Sequence, residues 1–233
     1  MHSNKYTVVY ASVLTAIVGA SLAIAVGGLK PRQERNALMA NRRAILQTVM
    51  EVNPQTLEAD YQSLVTERVF DLGGKEVSGV EAFSLNLKDE ARKPNAQQRL
   101  PLFVFSRDGV KRYIVPMQGA GLWGPIGAYL ALEADLSTIY GVAFSQEKET
   151  PGLGAEIDRP FFEDRYKGKK IYNDGATLEP VAVLRGSGNN TAAMPHAVDG
   201  LTGATITLNG VSRMFRDELS RYDRIFATLR QTQ

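Results

Sequence analysis

An uninterrupted run of uncharged residues near the N-terminus constrains this chain most. No residue from Tyr6 to Leu29 carries a charge, and Lys5 and Lys30 border the run. A helix of that length extends roughly 36 Å at 1.5 Å per residue, which exceeds the roughly 30 Å hydrocarbon core of a bilayer. Alanine and glycine recur along it, which favours close packing against other membrane helices. The run therefore predicts a single-pass transmembrane helix with the lipid bilayer as a partner.

A signal peptide and a buried soluble helix both fit this run less well. A cleaved signal peptide would have a shorter apolar core and a small-residue cleavage site. Ala23-Ile24-Ala25 is similar to such a site, but the apolar run continues beyond it. A buried helix of a soluble protein would have a polar face, which this run lacks. We therefore expect a retained membrane anchor.

The residue types in the chain limit the chemistry available to it. The 233 residues include no cysteine, which excludes disulfides, thiolate-bound iron–sulfur clusters and cysteine nucleophiles. The only histidines are His2 and His196, which argues against a histidine-bound metal or haem. A net charge of +2 gives no reason to expect a nucleic acid partner. Any electron transfer by this chain would therefore need an organic cofactor.

The hydrophobic pattern after the anchor predicts an α+β fold class. Helices are predicted in residues 36–52, 57–65 and 211–229, strands in 68–72, 102–105, 113–115, 128–132, 138–144 and 181–184, and a helical turn in 161–166. Asp108-Gly109 separates two of these strands as a hairpin turn. The pattern favours a single transmembrane helix followed by one extramembrane domain in which helices pack on an antiparallel sheet.

We predict three regions along the chain. Residues 1–35 form an N-terminal tail and the transmembrane anchor. Residues 36–100 form membrane-proximal helices and the first strand of the extramembrane domain. Residues 101–233 form the ligand-binding core of that domain.

The stretch Asp199-Gly200-Leu201-Thr202-Gly203-Ala204-Thr205 is the first candidate for a ligand site. Gly203 would let a ligand approach the backbone closely, and Thr205 would present a hydroxyl. A helical pattern follows, and the free N–H groups and positive dipole end of its first turn suit a phosphate. On spacing alone, an ordinary glycine- and threonine-rich turn that caps a helix accounts for the stretch better.

Two glycine-bearing loops could hold a flat ligand. In Glu149-Thr150-Pro151-Gly152-Leu153-Gly154, the Pro-Gly pair favours a type II turn, and the glycines leave backbone N–H groups accessible. Leu153 from this loop and Trp123 from Leu122-Trp123-Gly124 could lie against a ring. A common turn and a core tryptophan would give the same pattern, so the residues alone leave both possibilities open.

The motif Asp199-x-x-Thr202-Gly203-Ala204-Thr205 resembles the D-x-x-[S/T]-G-A-T signature of proteins that carry FMN as a phosphoester on the final threonine. The whole chain resembles the C subunits of sodium-translocating NADH:quinone reductases. The resemblance implies that a separate flavin transferase, using FAD and magnesium, attaches FMN covalently to Thr205, and that the two loops border the isoalloxazine. The cofactor-binding residues implied in this way are Thr205, Ala204, Gly203, Thr202, Asp199, Trp123, Gly124, Glu149, Thr150, Gly152, Leu153 and Gly154.

The role implied by the resemblance is electron relay within a respiratory membrane complex. The protein would take electrons from a neighbouring centre and pass them to a second flavin subunit, toward quinone, while the complex couples NADH oxidation to sodium export. The G-x-G-x-x-G match at Gly119-Ala120-Gly121-Leu122-Trp123-Gly124 leads to a predicted strand, whereas a dinucleotide-binding motif opens a helix. The anchor contains no charge. NADH binding and ion transport would therefore belong to other membrane subunits. No catalytic or metal-binding residue is predicted.

Two alternatives remain open. The chain also resembles the G subunits of Rnf ion-translocating complexes, which use the same flavin module with ferredoxin and NAD. More distantly, it would be a membrane-anchored binding or assembly module without a redox role.

Several polar residues near the motif have structural interpretations. Asp199 would either bind a metal during flavin attachment or cap the turn of the motif. His196 is interpreted as a polar loop residue. A small cluster interpreted as solvated surface consists of Lys167, Lys169 and Lys170.

The flanks of the anchor conflict with the resemblance about the side of the membrane. Lys5 precedes the anchor whereas Lys30, Arg32 and Arg35 follow it, and the positive-inside rule would place the domain in the cytoplasm. The resemblance implies a periplasmic domain on a bacterial inner membrane. We follow the resemblance, because partner subunits can fix topology and a covalent bond keeps a flavin from diffusing away outside the cytoplasm.

Overall fold

The computed structural model describes residues 4–173 and 177–231, and the chain divides into two compact units. The first unit ends at Asn41 and the second begins at Arg42. Helix α1 (Asn4–Gln47) forms the described part of the first unit and continues into the second. The predicted N-terminal tail includes residues 1–3, which lie outside the described residues. The three predicted regions stay a prediction.

Helix α1 includes a segment long and apolar enough to cross a membrane. Its residues from Asn4 to Ala37 are all exposed, including many valines, leucines and isoleucines, as suits a helix surrounded by lipid. The prediction of a separate helix from residue 36 is wrong, because α1 passes through Pro31 without a break. Proline removes one backbone hydrogen bond, and the arginine, glutamine and glutamate that follow it are good helix formers.

The second unit is built on a five-stranded antiparallel sheet whose strands are neighbours in sequence order. The strands are β1 (Val65–Asp71), β2 (Arg99–Arg107), β3 (Val110–Ala120), β4 (Pro125–Leu132) and β5 (Ile139–Gln146). The β2–β3 hairpin turns at Asp108-Gly109, as predicted, and the φ angles of the two residues are 52° and 80°. Positive φ at both positions is typical of a type I′ turn.

The remaining elements are short apart from the C-terminal helix. They are α2 (Leu57–Leu64), α3 (Leu87–Glu90), α4 (Pro160–Glu163), β6 (Tyr172–Asn173), β7 (Thr177–Leu178), β8 (Ala182–Val183), β9 (Ala197–Val198), α5 (Thr205–Gln231), and 3-10 turns at Ala82–Ser84, Asn95–Gln97, Gly154–Asp158 and Asp164–Tyr166. Strands β6 and β7 pair antiparallel, and β8 and β9 pair parallel. The predicted α+β fold class is confirmed.

The sheet has an apolar face on each side because side chains alternate along its strands. Leu102 and Val104 of β2 contribute to the larger core, whereas Phe103 and Phe105 contribute to the smaller one. The larger core includes the buried stripe of α5, and the smaller core includes residues from the end of α1 and from α2. Two faces covered by helices explain why β2 is buried along most of its length.

Helix α5 crosses β3 closely because glycines lie at the contact. A Cβ on Gly210 would collide with the carbonyl oxygen of Ala120, and a Cβ on Gly119 would lie 2.8 Å from Cβ of Met214. The first turns of α5 are therefore held beside the end of β3 and the β3–β4 loop.

Candidate functional site

A cleft of about 230 Å³ lies at the first turn of α5, where three segments of the chain meet. It is lined by Leu122 from the β3–β4 loop, by Glu149, Thr150, Leu153 and Gly154 from the segment after β5, and by Gly203, Ala204, Thr205, Ile206 and Thr207. Its volume is below the roughly 300–1,000 Å³ of pockets that enclose a small ligand. The cleft therefore suits part of a larger ligand whose remainder lies at the surface.

One side of the cleft is the N-terminus of a helix. The amide of Leu208 donates to the carbonyl of Ala204 at 3.0 Å, which makes Ala204 the N-cap residue of α5. Alanine has no side-chain oxygen to cap the helix. Within the described residues, the backbone amides of Thr205, Ile206 and Thr207 have no hydrogen-bond partner. Together with the positive end of the helix dipole, these amides suit a phosphate or another anion.

Three threonines around this helix start differ in whether their hydroxyl is free. The Thr202 hydroxyl lies 2.8 Å from Ser187 Oγ, and the Thr207 hydroxyl donates to Glu149 Oε2 at 2.5 Å. Thr207 is also buried, with 2 % of its surface exposed. Thr205 is exposed, and its hydroxyl has no hydrogen-bond partner in the described part of the chain. Among the three, Thr205 is therefore the threonine whose hydroxyl is both exposed and without a hydrogen-bond partner in the described residues.

Gly203 brings the motif close to the segment after β5. Its φ is +81°, in the left-handed region that residues with a side chain rarely adopt. A Cβ at this position would lie 2.6 Å from Cδ2 of Leu153. The Gly203 backbone therefore packs against the Leu153 side chain, and both residues line the cleft.

The Glu149 carboxylate joins the three segments of the cleft. Its Oε1 accepts a hydrogen bond from the Trp123 amide at 2.8 Å, and its Oε2 accepts the hydroxyl of Thr207. Burial raises the pKa of Glu149, but the Thr207 hydroxyl and the amides of Trp123, Leu122 and Gly124 outweigh burial, and the net pKa is below its usual value. The side chain is therefore held as a carboxylate at neutral pH.

Asp199, the acid of the motif, faces a neighbouring loop and lies outside the lining of the cleft. Its carboxylate accepts hydrogen bonds from the amides of Gly188 and Asn189, both at 2.9 Å, and from Asn189 Nδ2 at 2.8 Å. Arg165 Nη1 lies 3.6 Å from its Oδ2. Burial raises the pKa of Asp199, but these hydrogen bonds and the Arg165 charge outweigh burial and lower it. Of its two predicted roles, these contacts favour the structural one.

The mouth of the cleft has an exposed apolar rim. Leu122, Trp123, Leu153 and Ile206 are 45 %, 64 %, 40 % and 57 % exposed, respectively. Single exposed apolar residues are ordinary, but a group around one cleft suits contact with an apolar ligand surface. Trp123 lies beside the cleft lining, so its predicted stacking against a ring stays a prediction.

Most of the predicted cofactor-binding residues meet at the cleft. Glu149, Thr150, Leu153, Gly154, Gly203, Ala204 and Thr205 line it, whereas Asp199, Thr202, Trp123, Gly124 and Gly152 lie outside its lining. Sequence analysis missed Ile206 and Thr207. Thr207 lies one helical turn before Val211 on the buried stripe of α5. This spacing could have predicted that the Thr207 side chain is buried.

Two of the polar residues near the motif hold loops in place. Lys169 Nζ donates to the carbonyl oxygens of Thr191 at 2.6 Å and Met194 at 2.8 Å, and burial lowers the pKa of Lys169. The interpretation of this lysine as solvated surface is wrong, because the residue is buried. His196 Nδ1 lies 2.9 Å from the carbonyl oxygen of Lys170, which agrees with a structural role.

Comparison with known protein families identifies one domain in this chain. An FMN-binding domain family matches residues 121–220. The matched range includes all residues that line the cleft.

Comparison with whole proteins extends the similarity along the chain. The C subunit of the Na(+)-translocating NADH-quinone reductase of Pseudomonas aeruginosa is 30 % identical, over 98 % of this chain and 97 % of that protein. The C subunit of the same reductase from Neisseria meningitidis serogroup B is 30 % identical, over 90 % of this chain and 87 % of that protein.

Solved structures are similar in fold. The crystal structure of the Na(+)-translocating NADH-quinone reductase C subunit from Parabacteroides distasonis has a TM-score of 0.75 and 36 % identity, covering 85 % of this chain and 96 % of that chain. That of Shewanella oneidensis NqrC has a TM-score of 0.74 and 24 % identity, covering 86 % and 99 %, and supports the fold alone.

Proposed function

Since the chain belongs to the family of Na(+)-translocating NADH-quinone reductase C subunits, we propose that it relays electrons through FMN attached as a phosphoester to Thr205. The observation that carries this proposal is the Thr205 hydroxyl, which is exposed and unpaired within the described residues, at a helix N-terminus without a side-chain cap. The family membership makes the chain a subunit of the complex. Covalent attachment and electron relay are our proposal.

The residues around Thr205 fit the phosphate group of FMN. A phosphoester oxygen on Thr205 would leave the phosphate beside the free amides of Ile206 and Thr207 and the positive end of the α5 dipole. The first turn of α5 has no acidic residue of its own, and the carboxylate that contacts this turn, Glu149, is engaged by the Thr207 hydroxyl. The residues present therefore suit the cofactor that the domain family binds.

The rim of the cleft fits the ring of FMN. Leu122, Leu153 and Ile206 offer apolar surface, and the cleft is too small to enclose a flavin. A ring held against this rim would keep one side accessible for electron exchange. Because the cleft would enclose little of the flavin, non-covalent binding would be weak. A covalent bond would retain the cofactor without tight binding.

The chemistry of the site then depends on the cofactor more than on acid–base groups. When bound, FMN supplies reversible electron storage, and the protein supplies binding, orientation and electrostatics. The ionisable side chain in the cleft lining, Glu149, is engaged by the Thr207 hydroxyl. We propose no catalytic residue in this chain.

Attachment requires a second protein. A flavin transferase would join the Thr205 oxygen to the FMN phosphorus of FAD, break the pyrophosphate bond and release AMP, with magnesium assisting. The exposed Thr205 hydroxyl supports access by such an enzyme.

The proposed partners are the other membrane subunits of the complex, including a second flavin subunit that accepts the electrons. NADH oxidation, quinone reduction and sodium export would take place on those subunits. We propose that α1 crosses the bacterial inner membrane once and that the flavin domain is periplasmic. The exposed apolar surface of α1 supports the membrane location.

The proposal is tested by Thr205→Ala in chain produced together with its transferase. A denaturing gel under ultraviolet light should give a fluorescent band for the wild type and a dark band for the variant, because only a covalent flavin survives denaturation. Mass spectrometry of the peptide that contains Thr205 should find the mass of FMN in the wild type alone.

Thr66→Ala is the matched control, since it makes the same change at an exposed threonine on β1. It should keep its fluorescence. A fluorescent Thr205→Ala band would assign the attachment to another residue, and an unmodified wild-type peptide would reject the electron-carrier function.

A further inference from the structure

The geometry points to Glu149 as a positioning residue that holds the cleft in its ligand-ready shape before a cofactor arrives. This inference rests on the proposed function for the identity of the cofactor. Glu149 would act through the β3–β4 loop and the first turn of α5. Both of its carboxylate oxygens accept hydrogen bonds from the protein, so this role does not require contact between Glu149 and the ligand.

The hydrogen bonds of Glu149 join segments that are far apart in the chain. Trp123 is 26 residues away, and Thr207 is 58 residues away. The backbone of Glu149 is itself held, because its amide donates to Gln146 Oε1 at 3.1 Å. One buried side chain thus connects the loop that carries Trp123 to the helix start that carries Thr205.

Two glycines of the site are explained by the space that Glu149 occupies. A Cβ on Gly121 would lie 2.5 Å from Glu149 Oε1, and a Cβ on Gly154 would lie 2.6 Å from Glu149 Oε2 and 2.5 Å from Thr207 Oγ1. A side chain at either glycine would displace the carboxylate. The sequence analysis predicted that the glycines of the 149–154 loop expose backbone amides to a ligand. In the structure, Gly154, like Gly121, leaves space for the Glu149 carboxylate.

The charge of Glu149 also suits the place where it lies. Ala204 leaves α5 without a side-chain cap, and a carboxylate near a helix N-terminus is stabilised by the helix dipole. Glu149 provides this negative charge through Thr207, in the first turn, while the exposed Thr205 remains available. The helix start is thereby fixed without a group that would cover the attachment site.

The single tryptophan of the chain gives a direct readout of this arrangement. Trp123 donates its backbone amide to Glu149, and its indole is exposed, so its fluorescence reports the motion of the loop. The experiment uses full-length chain produced without transferase and purified in detergent. Time-resolved anisotropy and acrylamide quenching of Trp123 are compared for the wild type, Glu149→Ala and Glu149→Gln.

We expect Glu149→Ala to give Trp123 a faster local motion and stronger quenching, whereas Glu149→Gln, which keeps the shape and loses the charge, should be affected less. Glutamine has nearly the same shape, and it can accept from the Trp123 amide and donate to the Thr207 oxygen. With transferase and FAD added, the rate of flavin attachment should fall at least about tenfold in Glu149→Ala, because losing even one of its two hydrogen bonds to the carboxylate is expected to have that effect.

Thr207→Val removes the hydrogen bond from Thr207 to Glu149 and keeps the side-chain shape. It therefore tests the inference if Glu149→Ala fails to fold. It should slow attachment while leaving the Trp123 loop close to wild type. Unchanged Trp123 motion and unchanged attachment in Glu149→Ala would overturn the inference. So would a Glu149→Gln variant as impaired as Glu149→Ala, or, where Glu149→Ala is unfolded, normal attachment in Thr207→Val.

Failure of the inference differs from failure of the proposed function. The Trp123 measurements use flavin-free chain and do not depend on Thr205. A wild-type chain that accepts no flavin would reject the proposed function, while the Trp123 comparison would still decide the role of Glu149.

Discussion

Thr205 is distinguished by its surroundings, because Thr202 and Thr207 have the same hydroxyl within a few residues. Thr202 is paired with Ser187, and Thr207 is buried against Glu149. The three hydroxyls are therefore chemically alike and differ in their surroundings. The same logic applies to Gly203, whose role depends on its backbone angle and on the Leu153 side chain next to it.

Gly203→Val should prevent most flavin attachment. The valine would be strained at a φ of +81° and would push aside the Leu153 side chain that lines the cleft. Strain of this kind costs on the order of 1–3 kcal/mol. In-gel fluorescence per mole of chain measures the loss.

Gly79→Val is the matched control, since Gly79 has a φ of +79° and open space around it. It should lose similar stability and retain its flavin. Normal flavin loading of Gly203→Val would reject the close-approach argument.

Asp199→Asn should destabilise the domain in a pH-dependent way. The amide would place an N–H group opposite the Gly188 and Asn189 donors, and losing a hydrogen bond to a charged group costs on the order of 1.5–3 kcal/mol. Because the pKa of Asp199 is lowered in the folded chain, its contribution is complete above the ordinary value of about 3.9. The contribution is lost as pH falls through the folded pKa.

Thermal unfolding of both chains between about pH 2 and pH 7 checks this expectation. The difference in midpoint should be largest near neutral pH and shrink toward the acid end. A difference that stays constant over this range would mean that the Asp199 charge contributes nothing to the loop.

Among the elements, α5 does most to build the site, because it crosses β3 at Gly210 and begins at Thr205. Alanine usually stabilises a helix relative to glycine by up to about 1 kcal/mol. At position 210 its methyl group would meet the Ala120 carbonyl and push α5 away from the sheet. The position of α5, and with it the shape of the cleft, therefore depends on glycine at position 210.

Gly210→Ala should lower stability by about 1–3 kcal/mol, the usual cost of overpacking, and reduce flavin attachment. Chemical denaturation and in-gel fluorescence measure the two effects. Asn209→Ala is the control, since this neighbour is exposed on the same helix. Equal stability of Gly210→Ala and wild type would reject the close crossing.

Most elements were predictable from sequence because their signals are local. Asp108-Gly109 specifies its hairpin, and the apolar stripe of α5 specifies a helix that packs on a sheet. The motif up to Thr205 identified the start of the cleft. What could not be predicted depends on distant partners, such as the burial of Glu149, whose partner Thr207 lies 58 residues away in the chain.

On the scale of the whole chain, the charges beside the membrane segment and the proposed function predict opposite sides of the membrane for the flavin domain. The positive residues after the anchor favour a cytoplasmic domain, whereas the proposed function has it in the periplasm. We expect protease added to intact spheroplasts to digest the domain.

A cytoplasmic protein of the same cells should stay intact in that experiment until the membrane is opened. Protection of the flavin domain in intact spheroplasts would reverse the proposed orientation. It would leave the assignment of Thr205 unaffected.

The cleft forms from residues near positions 122, 149–154 and 203–207, so it is complete only when the last helix has packed onto the sheet. A transferase that recognises this shape would pass over unfinished or misfolded chains. Only correctly folded chains would then carry flavin. Flavin fluorescence per mole of chain would therefore measure the fraction of chains that folded correctly in living cells.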